Sequence, residues 1–181
     1  TTNVWIRSGH TVQFDTSSKN CNNLTIESGG KLWANSTASS PRYLNLNGAT
    51  LINNGEFGAI DYSFGLKPFS SITTITGNGT YTIGRIQPQN AGSTIIFDAN
   101  VLFNYAGSEG SGGSSIYNNS KDNITYTINA GKTVTTNPKV YITISTSGSA
   151  APSTGYNLTL NINGTLTTGT DAHINLLNAS N

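Results

Sequence analysis

The sequence predicts an all-β fold, a right-handed parallel β-helix (β-solenoid) of about seven rungs, on three observations. First, Ile6-Arg7-Ser8-Gly9-His10-Thr11-Val12 returns as Ile26-Glu27-Ser28-Gly29-Gly30-Lys31-Leu32 and as Ile128-Asn129-Ala130-Gly131-Lys132-Thr133-Val134. This is a short strand, a glycine turn and a second short strand, the unit of a stacked β architecture. Second, no extended i, i+3, i+4 apolar stripe occurs, and β-branched residues, Gly and Asn dominate, so helix is disfavoured throughout. Third, Ile6, Ile26 and Leu46 are spaced by 20 residues, so a coil that closes after that length lays like residue on like residue.

Rung one is expected over Val4 to Phe14, rung two over Leu24 to Trp33, and rung three from Leu44 to Ile52 and beyond. The fourth begins near Ile72 and includes Tyr81 and Ile83; the fifth covers Ile95 to Phe103. The sixth runs from Ile124 to Val134 with Val140 to Ile144, and the seventh from Leu158 to Leu166. Within each strand apolar and polar residues alternate, as in Leu158-Thr-Leu160-Asn-Ile162, which buries one face. Stacking in this phase would align Arg7, Glu27 and Asn47 outside, with an Arg7–Glu27 ion pair, and would bring Asp15 and Asn35 together at a corner. The alternative is an antiparallel β-sandwich or meander, which Asn47-Gly48, Asn54-Gly55, Asn78-Gly79 and Asn163-Gly164 would suit as hairpin turns.

At 181 residues, 1–181 is expected to be a single solenoid domain. Its irregular part is 105–123, rich in Gly and Ser, which reads as a long surface loop with no core to bury. Tyr43, Phe57, Tyr62, Phe64 and Phe69 crowd into residues 41–71, as a second layer on the solenoid or as a sugar-stacking strip.

Charged residues make up only 9% of the chain and the net charge is +1, so no basic stripe exists to hold nucleic acid or an acidic membrane surface. No run of 18 apolar residues is present to insert as a helix in a bilayer. The chain begins at Thr1 and contains no Met, so the segment is expected to have been trimmed, by signal-peptide removal or by excision from something longer. Low charge and a single cysteine fit an extracellular, secreted or cell-surface location. Cys21 reads as a free buried thiol, with an intermolecular bridge as the alternative.

Signals for chemistry are sparse. Glu56 and Asp61 are the acids nearest in sequence, and they read as loop solubilisers more readily than as a hydrolytic pair. No Asp-x-Asp-x-Asp run offers a calcium loop, and two distant histidines with one cysteine make no zinc pattern, so neither metal nor cofactor is expected. His10 reads as a solvated corner. No Gly-x-Ser-x-Gly elbow precedes a helix.

Asn23-Leu-Thr-Ile-Glu-Ser-Gly-Gly-Lys-Leu32, Leu44-Asn-Leu-Asn-Gly-Ala-Thr-Leu-Ile-Asn-Asn-Gly-Glu-Phe57 and Leu158-Thr-Leu-Asn-Ile-Asn-Gly-Thr-Leu166 resemble the β-solenoid repeats of large secreted bacterial surface proteins and adhesins, especially those of the Bacteroidetes exported by type IX secretion. The architecture is similar to the pectate-lyase-like β-helices, whose lyases gather acids for calcium and an Arg or Lys base on one parallel sheet; that cluster has no counterpart that can be placed here. The resemblance implies a non-enzymatic structural protein, an adhesin or stalk segment or a filament subunit.

The ends support that expectation, because a solenoid ordinarily closes in polar caps. Here the rung pattern starts at Val4 and apolar residues persist to Leu176-Leu177, so self-association or continuation through the terminal rungs is expected. The runner-up is a carbohydrate-active or glycan-binding β-helix, with Tyr62, Phe64 and Tyr105 as sugar-contact aromatics and extracellular polysaccharide as partner. A third reading is ice binding, invited by Thr73-Thr74-Ile75-Thr76, Thr125-Tyr-Thr127 and Thr165-Leu-Thr167-Thr168. Those runs lack constant spacing along the chain, and Thr is a good strand residue in its own right.

Overall fold

The recurring strand–turn–strand units coil into a right-handed parallel β-helix. The computed structural model describes residues 1–15, 18–34, 42–59, 64–104, 114–118, 120–138, 140–143 and 156–175. Rung one contains β1 (Val4–Ile6), β2 (Thr11–Phe14) and β3 (Ser18–Cys21); rung two contains β4 (Leu24–Ile26), β5 (Lys31–Ala34) and β6 (Arg42–Leu46). Rung three is β7 (Thr50–Asn53), β8 (Glu56–Ala59) and β9 (Phe64–Pro68), and rung four is β10 (Ile72–Thr76), β11 (Thr80–Ile83) and β12 (Arg85–Ile86). Rung five is β13 (Thr94–Asp98), β14 (Val101–Phe103) and β15 (Ser114–Tyr117). Rung six is β16 (Ile124–Ile128), β17 (Thr133–Thr136) and β18 (Tyr141–Thr143), and rung seven is β19 (Leu158–Ile162), β20 (Thr165–Thr167) and β21 (His173–Asn175).

The first, second and third strands of the rungs form three seven-stranded sheets, here A, B and C. Every pairing among them is parallel, which rules out the antiparallel sandwich. Alternation within each strand sends one side chain in and the next out. The inner column of sheet A runs Val4, Leu24, Leu51, Ile75, Phe97, Ile128, Ile162. That of sheet B runs Val12, Leu32, Phe57, Tyr81, Val101, Val134, Leu166.

Turn chemistry explains the motif. Gly9, Gly29 and Gly131 carry φ of 77°, 80° and 75° between sheets A and B, a left-handed conformation that glycine adopts without a Cβ clash. The Asn-Gly pairs serve the same coil rather than hairpins. Gly55 and Gly79 sit at the A-to-B corner, where a Cβ would run into the carbonyls of Gly30 and Gly55 one rung below.

The phase of rung three differs from the sequence expectation. Ile6 stacks on Ile26, but Ile26 stacks on Asn53, while Leu46 pairs in sheet C with Cys21 and Pro68. The second coil is longer than the first because residues 35–41 lie between β5 and β6. Asn47 therefore does not continue the Arg7 and Glu27 column. The Arg7–Glu27 ion pair does not form: Glu27 Oε2 accepts the Ser8 N–H at 3.2 Å, and the ion pair among the described residues is Lys31–Glu56 at 2.8 Å, across adjacent strands. The Asp15–Asn35 corner lies partly outside the described residues, at Asn35.

The expected loop 105–123 contains a strand, β15, whose Ile116 is fully buried and stacks between Ile86 and Ile142. Residues 105–113 of that loop lie outside the described residues. Nor do Phe57 and Phe64 form a lateral layer. Both are fully buried inside the coil, Phe64 at 5.1 Å from the rings of Phe14 and of Phe57, and Phe57 at 5.8 Å from Tyr81.

Candidate functional site: two open ends and the outer faces

The inner columns are sealed in the middle and open at both ends. From Leu24 to Ile128 the sheet A column is at most 1% exposed, whereas its first and last members, Val4 and Ile162, are 36% and 48% exposed. In sheet B, Val12 is 44% exposed while Leu32, one rung on, is 4%. In sheet C the column Leu44, Leu66, Ile86, Ile116, Ile142 ends on Ile174, 48% exposed. Each terminal rung thus shows solvent part of the apolar cross-section that interior rungs hide, although Ile6, Phe14 and Cys21 of rung one stay buried. Among the described residues its strands are also paired on one side only, which leaves N–H and C=O groups directed along the axis.

At the first rung this cross-section forms a cleft of about 220 Å³, lined by Val4, Val12, Phe14, Cys21, Leu24 and Leu32 with Asp15 and Lys19 at its rim. Cys21 is free and buried, as its place on an inner column requires, and desolvation pushes its thiol pKa up to about 11. Beside the cleft Trp5 points outward and is 61% exposed, sharing a shallow hollow with Arg7, His10 and Val12. His10 is exposed, with Nδ1 3.2 Å from the Ser8 carbonyl oxygen.

Of the three expected sugar-contact aromatics, Phe64 is a core residue, because it alternates inward with Leu66 and Pro68 in β9. Tyr62 and Tyr105 lie outside the described residues. Asp61 does too, and Glu56 is engaged by Lys31. Among the described residues no three His, Cys, Asp or Glu side chains gather as metal ligands. Asp98 accepts hydrogen bonds from Asn129 (3.0 Å) and Thr76 (3.1 Å), and these hold its carboxyl below the usual range.

The outer faces carry groups that sequence reading passed over. On sheet B, Lys31 Nζ lies 4.5 Å from the centre of the Trp33 ring. On sheet C, Lys67 Nζ lies 4.0 Å from the Tyr43 ring, and burial lowers its pKa. Asn45 donates to Asn20 at 2.7 Å in the same column as Lys67. The threonine runs separate by face: Thr73 points inward and is fully buried, Thr74, Thr76, Thr125 and Thr127 face out on sheet A, and Thr165 and Thr167 face out on sheet B. The signal for these placements was the two-residue alternation, which gives a side but not a sheet.

No protein-family model, curated protein or solved structure matches the chain.

Proposed function

We propose that the chain is a non-enzymatic structural segment of a secreted or cell-surface bacterial protein, an adhesin or stalk segment or a filament subunit, whose coils continue end to end. The observation that carries this reading is the exposure of Val4 and Val12 at one end and of Ile162 and Ile174 at the other, on columns sealed everywhere between.

The occupant of each open end is the opposite end of a second copy. Both ends present the same three-sided section of parallel strands running in one direction, so a copy added head to tail extends all three sheets. Such a contact joins two different surfaces and leaves each end free to repeat, which builds an open fibre rather than a closed ring. Fully burying one aliphatic side chain contributes about 1.5–3 kcal/mol, so these half-exposed residues offer about half of that each, beyond the ladder hydrogen bonds.

The resemblance to type IX-exported solenoid repeats supports the extracellular location, and the resemblance to pectate-lyase-like β-helices supplies the competing enzymatic reading. Phe64 in the core removes one of the aromatics on which a glycan-contact strip rested. Electron microscopy and light scattering of the purified chain, against the Ile162→Lys variant, test the proposal. Concentration-dependent rods in the parent and dispersed particles in the variant are expected. Dispersed parent particles at millimolar concentration, or turnover of an acidic polysaccharide, would overturn it.

A further inference from the structure

Register brings together on sheet B what the chain scatters. Strands β11, β17 and β20 each carry an outward Thr-x-Thr pair: Thr80 and Thr82, Thr133 and Thr135, Thr165 and Thr167. Thr82, Leu102, Thr135 and Thr167 stand in one column, and Thr133 stacks directly on Thr165. The spacing is about 4.8 Å between rungs and about 6.6 Å between the two members of a pair. We propose that this outer face of sheet B, over rungs four to seven, binds ice, its threonines holding a water layer that joins the crystal lattice.

Three features of the face carry the proposal. Its two repeats lie close to the oxygen repeats on planes of hexagonal ice. The six threonine hydroxyls make no hydrogen bond to the protein among the described residues, so all are available to water. On sheet A, by contrast, Thr76 donates to Asp98 and Thr127 accepts from Asn161. No charged residue occupies an outward position of β11, β14, β17 or β20, so no ion imposes its own radial hydration shell. The nearest charge in the column, Glu56, is one rung below Thr80 and paired with Lys31.

Thr side chains add a physical reason. Branching at Cβ restricts χ1, so methyl and hydroxyl positions repeat from rung to rung with little side-chain entropy left to lose. The methyls keep neighbouring water from being held too strongly, and the hydroxyls anchor it in register. Rung five continues the face with Leu102, while Asn100 Oδ1 accepts the Thr133 N–H at 2.9 Å and fixes the corner beneath it. An open trough of about 410 Å³ over rungs four to six, bordered by Thr80, Leu102 and Thr133, has room for on the order of ten water molecules. Among the described residues no aromatic ring faces outward from β11, β14, β17 or β20, so these strands offer a sugar no stacking platform.

The test uses the full chain in ice-recrystallisation and ice-partition assays, with Thr135→Lys at the centre of the face and Thr159→Lys on sheet A as the control. The parent protein is expected to enter growing ice and slow recrystallisation. Thr135→Lys should raise the concentration needed at least tenfold, and Thr159→Lys should change it less than twofold. Both variants should retain the parent's β circular dichroism and melting temperature. A folded parent that leaves ice growth unchanged overturns the proposal. So does equal activity in Thr135→Lys, equal loss in Thr159→Lys, or retention on insoluble cellulose or chitin without entry into ice. Repeating the assay in the Ile162→Lys background reads ice binding independently of end-to-end stacking.

Discussion

Replacing Phe57 with Ala probes the interior of the coil within its aromatic cluster. Phe57 is fully buried, stacks between Leu32 and Tyr81 in the sheet B column, and meets the Phe64 ring at 5.1 Å. Truncating a buried Phe costs about 3–5 kcal/mol through lost transfer energy and the cavity left behind. The two aromatic neighbours place this site toward the middle or upper part of that range, because each such pair contributes about 0.5–1.5 kcal/mol beyond area burial. At a urea m-value of about 2 kcal/mol/M, a loss of 4 kcal/mol moves the unfolding midpoint down by about 2 M. Phe69→Ala is the control: Phe69 is 38% exposed, and its truncation should cost less than about 1 kcal/mol. Urea unfolding followed by circular dichroism reads both. Equal shifts for the two variants, or a Phe57→Ala cost below about 1 kcal/mol, would refute the placement of Phe57 on an inner column.

Three further outcomes follow from the same geometry. Gly29→Ala should destabilise by more than Gly9→Ala in thermal unfolding. Both have φ near 80°, which costs an L-residue about 1–2 kcal/mol, but a Cβ at Gly29 also meets Ser8 Oγ at 2.9 Å while Gly9 has open space. Cys21 should react with a disulfide reagent at pH 8 far more slowly in the native state than in urea, since burial raises its pKa to about 11 and withholds the thiolate; equal rates would place it outside the core. Asp98 has a folded pKa below its ordinary 3.8, so its contribution to stability is present above that value and lost as pH falls through the folded pKa. Melting temperatures between pH 5 and 2 should therefore fall more steeply in the parent than in Asp98→Asn, and parallel curves would contradict the Asn129 and Thr76 hydrogen bonds.

Much of the fold was legible because local and global signals agreed. The Ile-x-small-Gly turns, the inward alternation of Leu158-Thr-Leu160 and the seven-rung coil all reappear in the structure. Phase was lost at rung three for a physical reason. An alternating Leu44-Asn-Leu46 reads identically on any of three sheets, and only the length of the preceding corner segment decides which one it joins. Strand β15 was hidden because Ser114-Ser-Ile-Tyr117 offers the core a single buried aliphatic, Ile116, and owes its conformation to the strands on either side. Phe64 was readable as core from Phe64-Gly-Leu66 alternation, yet its aromatic neighbours in sequence suggested a surface strip. The Thr80, Thr133 and Thr165 pairs could not be joined from sequence at all, since unequal coils separate them until the register closes the gaps.

Distances between spin labels along one outer column of sheet B test the stacked register most directly. In a Cys21→Ala background, cysteine labels at Thr11 and Thr80 stand three rungs apart, Thr11 and Thr133 five, and Thr11 and Thr165 six. Backbone separations of about 14, 24 and 29 Å are expected, rising linearly with rung number. Separations that fail to rise in that order, or a Thr11–Thr165 distance no longer than Thr11–Thr80, would contradict the parallel coil.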